Sequence, residues 1–341
     1  MAEPLVIRAM RSFKAELLSR ETAQLAAMAR RWLGVELALE SQIQALAEEA
    51  RRLVDAGETL SAARVWRMQR AQLLLAQTSE QFRLYANYAG GVVTQEQEFL
   101  GRLGIEHAVQ AIQLSYFPRV DVTFERLPVE AVLNMVGAAG NGGPLGSLLR
   151  LRMVRDAKGQ PLPDVWNRLV QTLVNNTALG VNPRVTARAM RDDLAGGLQK
   201  ALVIARTEQM RVYRQVSAEQ YVRSGVVTGQ KRLTAHDDRV CAACIADEGT
   251  VYPVGEPIPD HPQGRCTGVP VVKGVKPVTW LAGEAWFREQ GGATQAAILE
   301  KGRFAAWKDG AFAFKDLVVP TYDETWGAGL AVAGLGTLAS S

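Results

Sequence analysis

All three cysteines of the chain lie between Cys241 and Cys266, and His261, one of only three histidines, lies among them. Their spacing is Cys241-x2-Cys244-x16-His261-x4-Cys266. Three thiolates and one imidazole match the donor set of a closed tetrahedral zinc site. The Cys-x2-Cys pair forms a tight knuckle, and the Pro/Gly-rich loop that follows returns His261 and Cys266 to it. The segment Gly249–Pro270 has too few apolar side chains to build a large core, so a bound metal would supply its cohesion. Four protein ligands leave no open position for water, which predicts a structural rather than a catalytic ion. Free buried cysteines are the plain alternative. A redox Cys-x2-Cys pair is disfavoured because no thioredoxin-like βαβ pattern surrounds it. The zinc-deaminase signature, His-x-Glu before Pro-Cys-x2-Cys, is absent. His236, Asp237 and Asp238 precede the knuckle; His236 and Asp238 could orient ligands through hydrogen bonds, or be part of a polar turn.

The elements that must position this cluster read as mainly α. Residues 1–118 form a helical arm or bundle: Trp32, Leu39, Leu46 and Leu53 recur every seven residues, with Ile43 and Ala50 in the other seam position. Such a stripe predicts an antiparallel bundle, or an arm that docks on another chain. Gly57 and Gly90-Gly91 are expected to break it. Residues 119–162 read as a mixed linker, with a short strand at Val120–Phe124 and a flexible loop at Gly137–Gly146 that lacks the Gly-Lys-Ser/Thr of a phosphate loop. Residues 163–275 combine helices with the loop-rich α+β zinc module. One helix starts near Val165, one at Asn182-Pro183, and the longest spans Leu198–Ser224 with Gly225 as its cap. Val226–Thr228 and Lys231–Thr234 bracket Gly229 as a hairpin would. Residues 276–320 read as a small aromatic helical subdomain, since seven of the 23 aromatics lie between Trp280 and Phe314. Residues 321–341 read as a flexible or partner-ordered tail.

The 341 residues suffice for about two domains at ~150 residues each. Apolar residues at 48% and charged residues at 22% exclude wholesale disorder. So few cysteines, in odd number, argue against a secreted disulfide scaffold. No signal peptide, transmembrane helix or membrane partner is expected, because neither a basic leader nor a long apolar run occurs. Net charge is +4, but Leu145–Ala235 holds 15 Lys/Arg against 6 Asp/Glu. The concentration marks Arg184, Arg188, Arg191, Arg206, Arg211 and Arg214 as candidates to face a polyanion. A solvated helix face is the alternative.

The order of motifs from Ile204-Ala-Arg-Thr-Glu208 onward resembles the phage Mu F-like minor head proteins, the phage head morphogenesis family. Tyr213 and Tyr221 follow on the same helix. Next come Asp238-Arg-Val-Cys241-x2-Cys244, Gly249-x2-Tyr252, Pro259-x-His261-Pro262-x2-Arg265-Cys266 and Pro270-Val. The likeness covers roughly residues 160–272. The family often reads His-Pro-x-Cys-Arg-Cys; here Gly264 stands in place of the first of those cysteines, leaving Cys266 as the thiolate after His261. The segment Trp280–Val318 resembles a tail seen on some members. The resemblance implies a non-enzymatic virion protein in the head near the portal vertex, present in host cytoplasm during assembly. It would contact the portal protein, with the major capsid protein, other virion proteins and packaged DNA as further partners. Two other readings stand beside it. One is an enzyme: a metal-dependent nuclease using His236, Asp237, Asp238 and His261, or an ADP-ribosyltransferase-like activity around Arg206 and Glu208. The other is a free zinc-containing DNA-binding protein.

Overall fold

The computed structural model describes residues 3–116, 125–128, 131, 153–155, 161–237, 239–323 and 326–338. Its first helix, α1 (Leu5–Asp55), stops two residues before Gly57, whose φ of +81° a side chain would resist. After α2 (Ala62–Val65), capped by the Ser61 hydroxyl, comes α3 (Gln69–Tyr116). The expected break at Gly90-Gly91 does not occur; α3 runs through it. A mid-helix glycine costs only about 1 kcal/mol against alanine, and the fully buried Ala89 and Val93 flank the pair. β1 (Met153–Arg155) pairs antiparallel with β2 (Pro161–Pro163), and α4 (Asp164–Ala178) follows directly. α5 (Pro183–Arg223) starts at the expected proline. It is one helix through Gly196-Gly197 rather than a new one at Leu198, and Gly225, at φ +67°, follows its end. Among the described residues the fold is mainly α, with only short strands. The strand expected at Val120–Phe124 and the loop at Gly137–Gly146 lie outside the described residues.

The chain divides into two compact units. One comprises Glu21–Thr94 and Ala139–Ala205. Within it α1 and α3 run antiparallel: Arg70 pairs with Glu49 at 2.9 Å, the Tyr85 hydroxyl reaches the Met28 carbonyl, and the Gln24 amide reaches that of Val92. The heptad stripe faces this seam. Trp32, Leu39, Ile43, Leu46 and Ala50 are at most 2% exposed, and Trp32 packs on Phe82 and Tyr85. Full burial of such side chains contributes roughly 1.5–3 kcal/mol each. The stripe is therefore covered within its own chain, as the antiparallel-bundle reading expects. Trp66 packs edge-on against Trp166 of α4, and Thr172 donates to Asp193 across to α5.

The other unit comprises Met1–Arg20, Gln95–Ala138 and Arg206–Ser341. Its sheet has the order β4-β3-β5, all antiparallel, from β3 (Val227–Leu233), β4 (Val251–Pro253) and β5 (Thr267–Val272). β3 is one continuous central strand through Gly229, not the hairpin expected there, because partners on both sides hold it extended. Between β3 and β4 sits the short helix α6 (Ala242–Ala246). Then follow α7 (Gly283–Arg288), α8 (Gly292–Lys308), a 3-10 turn at Phe314–Leu317, the hairpin β6 (Val318–Asp323) and β7 (Gly327–Val332), and α9 (Leu335–Leu338). Residues 321–341 read from the sequence as a flexible or partner-ordered tail. Instead β7 and α9 place Leu330, Ala333 and Leu338 in the interior. The aromatic segment is no separate body either. Phe287, Phe312, Phe314 and Leu317 form a single apolar cluster with Cys244, Ile245, Ile258 and Cys266.

Candidate metal centre

Cys241 is the N-cap of α6, and its sulfur accepts the Cys244 N–H at 3.2 Å. That bond folds the Cys-x2-Cys knuckle and points both sulfurs the same way. Across from it, His261-Pro262-Gln263-Gly264 makes a tight turn closed by Gly264 N–H to the His261 carbonyl at 2.8 Å. Pro262 suits the second position of such a turn, while Gln263 must take φ +66° in the third. Helix α5 holds that conformation. Arg206 Nη1 donates to Gln263 Oε1 at 2.7 Å, and Gln263 N–H donates to Thr207 Oγ1 at 3.0 Å. The turn brings His261 Nε2 to 3.3 Å from Cys244 Sγ. His261 Nδ1 lies 2.9 Å from the Pro262 carbonyl, a contact that places the proton on Nδ1 and frees Nε2 to bind a metal.

Two overlapping groups of donor atoms result. Cys241, Cys244 and His261 lie within 4.8 Å of one another, as do Cys244, Asp260 and Cys266. Cys244 belongs to both. Asp260 was not among the expected ligands, and its bonding explains why it need not be one. Its Oδ1 accepts from His261 N–H at 2.9 Å and Arg232 at 3.4 Å; its Oδ2 accepts from Arg214 at 2.8 Å and Cys266 N–H at 3.3 Å. A carboxylate with four donors has little left for a cation. Asp260 thus braces the backbone of both loop ligands, and the set Cys241, Cys244, His261 and Cys266 can hold a metal ion. Gly264 makes the brace possible: a Cβ there would lie 2.1 Å from the Asp260 carboxyl carbon.

The sulfurs titrate against one another. Hydrogen bonds from the Cys244 thiol, then from its N–H, hold Cys241 below the usual thiol range. The same bond pushes Cys244 up. The bond to Cys244, together with burial, pushes Cys266 well above that range. His261 is raised to about 9, chiefly by its contact with the Cys244 sulfur. A cluster in which one sulfur takes a thiolate at its neighbours' expense is one that a divalent cation satisfies, since all ligands can then ionise.

Other expected residues lie elsewhere. His236 does not orient a ligand: Arg11 Nη2 lies 3.0 Å from its Nδ1, its Nε2 meets Glu248, and its ring stacks on Trp286 at 4.1 Å. Burial alone would raise the Glu248 carboxyl, but His236 and the N–H groups of Gly283 and Thr234 hold it below its ordinary value. Asp238 lies outside the described residues. Asp237 is engaged by Arg265. Of the residues of the nuclease reading, His236, Asp237 and His261 thus have separate partners. Glu208, needed for the transferase reading, is 3% exposed and accepts from Trp326 Nε1, Arg211 and Gln97. Of the six arginines expected to face a polyanion, Arg184 and Arg188 are exposed. The other four are engaged within the chain: Arg191 with Glu40 at 2.6 Å, Arg206 with Gln263, Arg211 with Glu208, and Arg214 with Asp260.

Arg232 and Asp260 are what the sequence reasoning missed. Lys231-Arg232 looks like a surface pair, and only its place in the central strand buries it. Asp260, one residue before a candidate ligand, was the available signal. Comparison of the chain with protein-family models, curated proteins and solved structures returned no match. Among the described residues no helix is long and apolar enough to cross a membrane.

Proposed function

We propose that this chain is a structural minor head protein of a tailed bacteriophage, docked near the portal vertex, with one zinc ion locking its C-terminal module. One observation carries the reading: the motifs behind the resemblance, scattered over some sixty residues, meet around one cluster. Arg206, Thr207 and Arg214 of α5 grip the loop that bears His261 and Cys266, and the Tyr221 hydroxyl donates to the Gly268 carbonyl at 2.9 Å. Motif residues that hold a loop in place, rather than line an open cleft, suit an assembly part better than an enzyme. Three sulfurs and one nitrogen favour zinc among common divalent ions. When bound, zinc would supply cross-linking alone, because protein side chains fill its four positions. Arg184 and Arg188 remain exposed for a weak, salt-sensitive contact with packaged DNA.

Two measurements test this. Metal analysis of purified protein is expected to give about one zinc per chain, lost in Cys241→Ser and His261→Ala. Co-expression with the portal protein of the same phage is expected to give a complex that survives gradient sedimentation. A zinc-loaded chain that stays apart from portal and from heads would overturn the assembly role.

A further inference from the structure

Arg232 is fully buried, yet it sits in the central strand of a sheet, where an apolar side chain would pack without a desolvation cost. Its guanidinium faces the candidate metal centre. Nη2 lies 3.3 Å from Cys244 Sγ and 3.4 Å from Asp260 Oδ1; Nη1 reaches the Pro259 carbonyl and lies 3.5 Å from Asp247 Oδ2. Among the described residues its Nε has no hydrogen-bond partner.

Charge explains the placement. A divalent ion held by three thiolates and a neutral imidazole retains one net negative charge. Asp260, 2% exposed in its side chain, adds a second. Arg214, 2.8 Å from Asp260, offsets one of these. Arg232 is the cation in contact with the sulfur, and it offsets the other. Asp247, 3.5 Å from Arg232 Nη1, and Lys14, part-buried and bonded to the Leu233 carbonyl, add one further charge of each sign.

We propose that Arg232 is the positioning residue of the metal centre: its N–H donates to the Cys244 sulfur and neutralises the anionic metal–thiolate group, so that the ion is retained in a buried site. This rests on the metal reading above and adds a role that the ligand set does not imply. It assigns to a strand residue outside the Cys/His pattern the control of how tightly the metal is held.

The test uses the full chain loaded with cobalt(II) in place of zinc, read by its thiolate-to-cobalt charge-transfer absorption and by the rate at which a chelator removes the metal. In Arg232→Met the charge-transfer band should move to longer wavelength, because a sulfur that loses its donor gives up an electron more readily. Metal release should be roughly 10- to 100-fold faster, the usual effect of removing a partner that orients a ligand. Arg232→Lys should restore the band, since an ammonium can donate to the sulfur. It should still release faster than wild type, because a single ammonium cannot also hold Asp260 and Pro259. Arg214→Met, which loosens Asp260 without touching sulfur, should leave the band in place.

A band unmoved in Arg232→Met, with release within about twofold of wild type, overturns the proposal. So does an equal band shift in Arg214→Met, which would mark general loosening. If Arg232→Met does not fold, the release rate of Arg232→Lys decides, and an unchanged rate overturns the proposal. A wild-type chain with no thiolate–cobalt band defeats the metal reading itself, a failure visible before any variant is made.

Discussion

Gly264→Ala is the sharpest test of how the loop is built. The added Cβ would lie 2.1 Å from Asp260 Cγ and Oδ1 and 2.3 Å from Oδ2. Gly264 does not occupy the left-handed region, so alanine adds no backbone strain and the contact acts alone. The obstacle is the end of a side chain, but not a free one. Arg214, Arg232 and the N–H groups of His261 and Cys266 pin that carboxylate, and its side chain is 2% exposed. Moving it by the angstrom or more required pulls it from two buried arginines. Breaking a buried charge pair costs about 3–5 kcal/mol, which sets the expected loss. The assay is urea unfolding followed by hydrogen exchange in peptides spanning 227–272, which reports on this unit specifically. The double variant Asp260→Ala/Gly264→Ala supplies the check. With the carboxylate gone, alanine at 264 meets nothing there, so the double variant should be no worse than Asp260→Ala within about 0.5 kcal/mol. Additive costs would refute the reasoning, as would a Gly264→Ala chain as stable as wild type.

Further outcomes are expected. His107 is buried, stacked on Phe13 with its Nδ1 3.0 Å from the Tyr213 hydroxyl, and burial lowers its pKa to about 4. The unfolded chain therefore binds more protons than the folded one between about pH 6.5 and 4, and stability falls as pH falls through that window, by up to about 3 kcal/mol. Urea midpoints against pH should show this slope in wild type and lose it in His107→Gln. Chelation should raise hydrogen exchange at 241–246 and 259–266 while leaving Glu21–Thr94 unchanged, since the aromatic cluster around Phe287 and Phe314 still holds α6. Collapse of the whole chain on chelation would contradict this. Trp326→Phe leaves Glu208 Oε1 without the indole donor now at 2.9 Å. It should cost about 1–3 kcal/mol and speed proteolysis of the β6–β7 hairpin. Leu39→Ala should cost about 2–5 kcal/mol in thermal unfolding, because its seam partners are buried beside it.

Much of the helical frame was legible because its signals are local. A seven-residue repeat dictates which side of α1 is apolar whatever lies opposite. Pro183, Gly57 and Gly225 mark ends through backbone preferences they carry anywhere. The cluster that could hold a metal ion was legible for a related reason: thiols and imidazoles are scarce, so their gathering in one stretch stands out. The glycine pairs misled, since a cost of about 1 kcal/mol is small beside the burial of a long helix face.

The amino-acid order alone determined the helices' apolar faces and the identity of four donor side chains, because both depend on residue type and near spacing. Tertiary structure alone decided which surface covers the Trp32–Leu46 stripe, that Leu330, Ala333 and Leu338 pack inward, and that Arg232 and Asp260 stand beside the sulfurs. Those outcomes depend on contacts between segments far apart in the chain. A charged residue in a strand looks solvated until its neighbours across the sheet and the returning loop take the water away.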